Sequence, residues 1–582
     1  MNGKKQRCYK MEQFSSNPFL KKVISLDDIF TPENFTEEHR MIASTASAYV
    51  EQEVLPVLPE IEKQQFDQSI ELLRKAGELG LLGSDVPEEY GGLDLDKISS
   101  VIIMEEIGKT RSFSTTFGGQ IGIGSLPIVY YGTDEQKEKY LPYVVSGEKI
   151  GAYALTEPSA GTDALSIKTT ARLSDDGKYY LINGEKQFIT NASFADFFIL
   201  YAKVDGEKFT AFIVDKNSEG ITIGPEEKKM GLKGSSTTPV ILEDVKVPVE
   251  NVLGEIGRGH LIAFNILNNG RHKISAASLG MAKRALELAV QHVTERKQFN
   301  RPLSQFPLIQ EKIADIAAKI FTIESMVYRS AGELDRGYQY CKENNIPYRD
   351  ILKQFAVEAS INKVFASEAL DIIVDEALQM HGGYGYISDY EVEHLYRDSR
   401  INRIFEGTNE INRMIIAQTL LQSKAEWPDF RKLDEGPSEE MAQEWELLSN
   451  LRRLAGQAME MILQSFENYK EEQEILAWLA NLAISIYAIE SNLFRVEKLL
   501  ANKAQKKIKE KKLLAKIFAY EASSKIVSEM FKFSVLHDEQ IKQQKEKLFK
   551  TIQSSNNDFV HDKRLIASAV ITAGNYSGIH KL

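Results

Sequence analysis

Residues 400–413 read RINRIFEGTNEINR, with one acidic side chain, Glu406, between Phe405 and a Gly-Thr step. A carboxylate set beside an aromatic ring and partly dried loses the hydration that favours its ionised form. Its proton affinity then rises, and it can serve as a general base against a substrate carbon. The same residue also suits a plain surface turn ahead of a helix that starts at Asn409, where Thr408 could cap an exposed N–H. The local spacing leaves both readings open.

Two further stretches have chemistry-bearing composition. YALTEPSAGTDA (153–164) joins small residues, hydroxyls and a Pro turn, so its backbone could approach a ligand closely, although ordinary turn chemistry gives the same pattern. TERKQFNRPLSQFPLIQ (294–310) sets Arg296, Lys297 and Arg301 beside Phe299, a pairing that suits a phosphate and an aromatic base. A solvated helix end gives that pattern as well. GGQIGIGSLP (118–127) is rejected as a dinucleotide fingerprint, because Pro127 stands at the third glycine position and no strand precedes it. It reads instead as a flexible or closely packed loop. No CxxC pair, HExxH helix or zinc-type histidine spacing occurs, so no metal site is expected.

These residues must be positioned by a chain whose texture changes twice. Residues 41–150 carry apolar side chains at helical spacing, with Gly80 and Gly83 suited to ending one helix. Residues 151–257 are β-rich: Asn183-Gly184 and Asp205-Gly206 each stand between strand-like flanks and predict two-residue hairpins. Helical periodicity returns over 258–425, with one long helix expected to stop at Gly382-Gly383. Residues 426–440 read as a linker and 441–582 as an additional helical domain, while 1–40 form an N-terminal extension. The fold class is therefore mainly α with an inserted β-domain.

The 582-residue chain has 43% hydrophobic and 26% charged residues, as in an ordinary soluble protein. Its net charge of −12 argues against a general nucleic-acid binder. Two cysteines cannot build a disulfide framework, which favours a reducing compartment. No run of about 18 to 20 uninterrupted apolar residues occurs, and residues 475–489 are apolar but too short to cross a bilayer. The basic run after them includes Lys503, Lys506, Lys507, Lys509, Lys511 and Lys512. A core helix followed by a solvated one is the commoner arrangement, and a peripheral membrane contact through the C-terminal domain stays open. A cytoplasmic, bacterial-type location is expected, with a mitochondrial one left open.

Taken together, the stretches resemble the acyl-CoA dehydrogenase family over about residues 40–425. YALTEPSAGTDA is similar to its Y-x-x-T-E-P-x-x-G-S-D flavin loop, and TERKQFNRPL and QMHGGYGYISDYEVEHLYRDSRINRIFEGTNEI to its two C-terminal signatures. ILNNGRH, GLKGSSTTPV and the added C-terminal domain resemble the very-long-chain branch. The resemblance implies a helical N-terminal domain, a β-domain, a C-terminal four-helix bundle and FAD as cofactor. It implies Glu406 as the catalytic base. It implies flavin contacts from Tyr153, Leu155, Thr156, Gly161, Thr162, Phe188, Ile189 and Thr190, with Thr408 and Glu410 at its border. Arg296, Gln298, Phe299, Gln379 and Gly383 match positions that reach the FAD of a neighbouring subunit. Asn268 and Arg271 match positions near the CoA or thioester end of the substrate, Thr162 also faces substrate, and Gly407 packs beside the acyl chain.

Phe188 departs from the family's usual Trp and keeps the aromatic face without the N–H donor. Thr162 stands for a Ser. Some members carry the base near position 270, but no Asp or Glu lies between Gly257 and Glu287 here, which leaves Glu406.

The implied activity is FAD-dependent α,β-dehydrogenation of fatty acyl-CoA thioesters, of long chain by branch, with an electron-transferring flavoprotein as acceptor and a homodimer as assembly. An oxidase of the same fold and a non-catalytic acyl-CoA-binding or assembly protein are the competing expectations.

Overall fold

The structure is a computed structural model that describes residues 23–423, 432–433, 437–502, 508–533, 536, 538–554 and 558–578. Cys8 and the lysines at 503, 506 and 507 lie outside them, as does most of the expected 426–440 linker. The short strand Lys432–Leu433 within that linker pairs in parallel with Val23–Ile24.

The first helical layer comprises α1 (Glu37–Tyr49), α2 (Phe66–Glu78), α3 (Lys97–Ile107), α4 (Ser112–Gly118), α5 (Leu126–Tyr131) and α6 (Asp134–Val145). Thr36 starts α1 and Asp96 starts α3, each side chain accepting an N–H from the helix's first turn. Gly80 follows α2 in a left-handed conformation and ends it as the sequence predicts. Between α4 and α5 the stretch Gly119–Gly124 is a π-helical turn, where a loop was expected. Its chain packs hard against the next domain: a Cβ on Gly124 would meet the Gly151 carbonyl oxygen at 2.7 Å.

The sheet is built from β1 (Gly151–Ala154), β2 (Thr170–Leu173), β3 (Tyr179–Thr190), β4 (Phe197–Val204), β5 (Lys208–Asp215), β6 (Ile221–Ile223), β7 (Thr237–Pro248) and β8 (Val252–Leu253). The strand order is β6-β7-β3-β2-β4-β5-β8, with β1 parallel to β4. Asp205-Gly206 makes the hairpin expected of it, both residues at positive φ, joining β4 to β5.

Asn183-Gly184 does not make a hairpin. It lies inside β3, at a bulge against β7, and the real reversal before β3 is at residues 174–179, where Gly177 takes φ +70°. Two facts override the turn signal. Gly184 packs so close to Thr169 that a Cβ would meet its Oγ1 at 2.4 Å, and Asn183 exchanges hydrogen bonds with Asp244 across the bulge.

The helical half that follows holds α7 (Gly259–Glu295), the small hairpin β9 (Lys297–Gln298) and β10 (Arg301–Pro302), α8 (Pro307–Asn344), α9 (Ala356–His381), α10 (Glu391–Ser399) and α11 (Asn409–Gln422). Gly382 ends α9, as expected. The appended helices are α12 (Ala442–Ser465), α13 (Gln473–Ala501), α14 (Ile508–Glu529), α15 (Glu539–Gln553) and α16 (Phe559–Ala573). They share one continuous apolar core with α3, α7, α8 and α9, through residues such as Leu279, Phe321, Ile484 and Leu514.

The apolar 475–489 stretch belongs to α13, which has 29 residues and by length and composition could cross a membrane; 78% of its most apolar window is buried. Ions on α13 and α14 also face inward. Arg495 pairs with Glu33 (2.8 Å) and Glu324 (2.7 Å), and Lys511 pairs with Glu33 (2.7 Å). Residues 29–36 thereby become a strap across the appended domain.

Candidate active site

Glu406 sits in the connection between α10 and α11, at φ +54°, and Gly407 follows at φ +81°. A non-glycine residue in the left-handed region costs on the order of 1 kcal/mol or more, so such a loop must be held by its surroundings. Arg271 Nε donates to the Glu406 carbonyl at 3.0 Å, and Lys363 Nζ and Asn412 Nδ2 donate to the Gly407 carbonyl at 2.9 and 2.8 Å. Thr408 then starts α11 by accepting the Ile411 N–H, the capping expected of it.

The Glu406 carboxylate lies against α7 at Gly270, where an added Cβ would come within 2.9 Å of its carboxyl carbon. Its Oε2 is buried with no hydrogen-bond partner. Burial raises its proton affinity, Arg271 and Lys363 oppose that rise, and the result is a pKa of about 7. A carboxyl of that kind exchanges a proton near neutral pH.

Glu406 faces a cleft of about 770 Å³, its open mouth included. Met104, Ile123, Leu232, Ile274, Ala277, Met281 and Phe405 give it apolar walls, and Gly118, Gly119 and Gly122 give it a low one. Ser114, Thr115, Thr190 and Asn402 are its uncharged polar neighbours. Lys273 lines it too, with its charge turned away onto Asp85 (2.7 Å). A second carboxyl, Asp398, stands in the same wall. Its Oδ1 accepts the Leu232 N–H at 2.5 Å, and burial together with Glu62 pushes its pKa to about 7.

Beside the cleft the expected flavin loop leaves β1. Tyr153 is buried with its ring edge-on to Tyr201 at 5.2 Å. The Leu155 carbonyl accepts from Lys186 (3.2 Å) and the Thr156 carbonyl from the Gln187 N–H (2.8 Å), so the loop is tied to β3. Below it, buried Glu157 pairs with Lys186 at 2.7 Å and accepts the Lys168 and Thr169 N–H groups. Gly161 and Thr162 lie exposed at its tip. Phe188 takes φ +59° at a second bulge in β3, which turns its ring outward, 60% exposed, while the next residue, Ile189, is buried. Thr190 follows into the cleft wall.

The remaining expected residues fall into two groups. Asn268 and Arg271 are buried beneath Glu406: Arg271 Nη1 donates to Asn268 Oδ1 at 2.7 Å, and neither side chain lines the cleft. Arg296, Gln298, Phe299, Gln379 and Gly383 form a separate exposed patch around the β9–β10 hairpin, where Arg296 lies over Tyr384 at 5.4 Å. Phe299 is 88% exposed at φ +51°. At about 1.5 Å per residue along α7, that patch is about 36 Å from Arg271. Glu410 is exposed at the start of α11, its carboxyl held below the usual range by its own backbone N–H at the helix N-terminus.

Sequence reasoning missed Lys363 and Asn412, which hold the Glu406 loop, and the room that Gly270 leaves for the carboxylate. A lone lysine inside the apolar run INKVFASEALDII was a usable signal for Lys363.

Three comparisons bear on this geometry. Family profiles described as acyl-CoA dehydrogenase N-terminal, middle and C-terminal domains match residues 36–148, 152–245 and 257–421, and a further C-terminal domain profile matches 452–546. A Bacillus subtilis (strain 168) protein named "Probable acyl-CoA dehydrogenase" is 47% identical over 580 residues, covering 96% of this chain and 98% of its own. The very long-chain specific acyl-CoA dehydrogenase of Rattus norvegicus is 43% identical over 58% of this chain and 51% of its own. Among solved structures, an acyl-CoA dehydrogenase from Bacillus anthracis complexed with FAD superposes with a TM-score of 0.91 at 46% identity, over 97% of this chain and all of that one.

Proposed function

The chain belongs to the acyl-CoA dehydrogenase family, whose members are FAD-dependent oxidoreductases, and on that premise we propose that it oxidises long-chain fatty acyl-CoA thioesters to trans-2-enoyl-CoA, the first step of β-oxidation. The single observation that carries the reading is the buried, unpartnered Glu406 Oε2 facing an apolar cleft.

The residues around that cleft fit a flavin. Gly161 has open space where a Cβ would stand, Phe188 holds a bare aromatic face outward against backbone preference, and Thr190 brings a hydroxyl to the wall. Tyr153, Leu155, Thr156, Gly161, Thr162, Phe188, Ile189 and Thr190 would hold FAD, with Thr408 and Glu410 at its border. FAD, when bound, supplies the hydride acceptor for the β-carbon.

Glu406 takes the α-proton. The apolar walls exclude water from it, Gly270 leaves room for its carboxylate, and Arg271 fixes its backbone so that the carboxylate is aimed once and stays aimed. Gly407 packs beside the acyl chain, and Thr162 faces the substrate from the flavin loop. Arg271 and Asn268 therefore serve the substrate indirectly, through the base. The glycine wall at 118, 119 and 122 favours a long acyl chain, because side chains there would fill the cleft.

The second patch supports a dimeric assembly. Phe299 and its neighbours are about 36 Å along α7 from the base, too far to serve the same reacting centre, so they serve a second copy in a homodimer. An electron-transferring flavoprotein is the proposed acceptor.

Anaerobic addition of acyl-CoAs of increasing length tests this reading. Flavin bleaching that is fastest for long chains supports it, and bleaching confined to short chains contradicts the chain-length part. Rapid peroxide formation in air would identify an oxidase instead.

A further inference from the structure

Lys363 lies near the start of α9 and its side chain is wholly buried. A buried ammonium costs several kcal/mol unless acceptors meet it. The acceptors it meets are neutral: the Gly407 carbonyl at 2.9 Å and Asn409 Oδ1 at 2.7 Å. Both belong to the segment that presents Glu406. The same helix grips Asn409 twice more, through Ser367 (3.1 Å) and Glu368 (3.1 Å). An apolar side chain would fill this position and leave the Gly407 carbonyl with one donor fewer. A lysine puts a positive charge beneath the base.

We propose that Lys363 is a positioning residue for Glu406: it clamps the 406–409 loop, and its ammonium charge biases the neighbouring carboxylate toward the proton-free form that can accept the substrate's α-proton. The proposal rests on Glu406 being the base. The charged groups around the pair are few. Arg271 approaches from α7, Glu410 from α11 and Glu368 from α9, and Glu368 is already engaged by Arg413 at 2.8 Å. Tyr153 faces Glu406 from β1. Burial, then Arg271, depresses the Lys363 pKa to about 7, the range to which burial lifts Glu406. The two groups therefore exchange charge over the same pH range; ionised Glu406 is the reactive form, and a charged Lys363 favours it.

The test uses the FAD-loaded full-length enzyme and reads the pH midpoint of anaerobic bleaching by a long-chain acyl-CoA, together with FAD content and the Kd of an unreactive thioether analogue. In Lys363→Met the acid limb moves up by about one unit, and the rate at pH 7 falls about fivefold. FAD content and analogue affinity stay near wild type. Lys363→Arg, which stays charged above pH 7 where the buried lysine loses its proton, moves the midpoint below the wild-type value. A Lys363→Met enzyme with an unmoved midpoint overturns the proposal. If Lys363→Met does not fold, Lys363→Arg decides alone: a downward shift supports the proposal, and an unchanged midpoint overturns it. Glu406→Gln run in parallel separates the two ideas, because wild-type bleaching in that variant removes the base itself, whatever Lys363 does.

Discussion

Glu406 and residue 270 share one space. A Cβ at 270 would stand 2.9 to 3.0 Å from the three carboxyl atoms, so Gly270→Ala must displace the carboxylate. We expect Gly270→Ala to fold and to bind FAD, because the helix gains a better helix former, yet to bleach at least about tenfold more slowly under anaerobic single turnover. Wild-type bleaching in that variant would mean that the carboxylate position does not matter. At this scale the sequence was readable where a residue's role is local. Glu406 beside Phe405, and Thr408 as a cap, could be argued from neighbours in the chain. Gly270, Lys363 and Arg271's grip on the Glu406 carbonyl could not, because each acts across a gap of 43 or more residues that only packing closes.

Strand β3 shows what turn signals miss. Asn-Gly favours positive φ, and the structure uses that freedom for a bulge because Thr169 must pass close to Gly184. The second bulge, at Phe188, has no glycine and no sequence signature, yet it turns out the aromatic face proposed for the flavin. The flavin loop in turn depends on the buried Glu157–Lys186 pair, 2.7 Å apart. Lys186→Met would leave Glu157 buried with only N–H and hydroxyl partners, and we expect about 3 to 5 kcal/mol loss of stability. Thermal unfolding with and without added FAD checks this; an unchanged Tm would show that the pair is not holding the loop.

The whole molecule is less divisible than its sequence texture. Helical periodicity and a Pro-rich charged stretch marked the appended helices as a separate unit, but α12–α16 complete the core of α8 and α9, and the strap at Glu33 ties them down. Periodicity shows that a helix has an apolar face and is silent on which domain covers it. Removing residues 437–582 should therefore expose core side chains such as Phe321, under Arg495, and Phe365, against Phe518, and give an aggregated chain. A soluble, FAD-binding remainder, detected by size-exclusion chromatography with absorbance at the flavin band, would contradict the shared core. Phe299→Ala bears on the proposed assembly: if the homodimer forms through this patch, the variant should release FAD and shift toward monomer on size-exclusion chromatography.

The most direct measurement is the pH dependence of anaerobic flavin bleaching by a long-chain acyl-CoA in wild type and in Glu406→Gln. A base must be ionised to act, so wild-type rates should rise with pH through about 7, where burial has lifted the Glu406 pKa. Glu406→Gln should bind FAD and lose about 10² to 10⁴-fold in rate at every pH. A Glu406→Gln enzyme that bleaches at the wild-type rate, with the same acid limb, would place the base elsewhere in the cleft, with Asp398 as the carboxyl to change next.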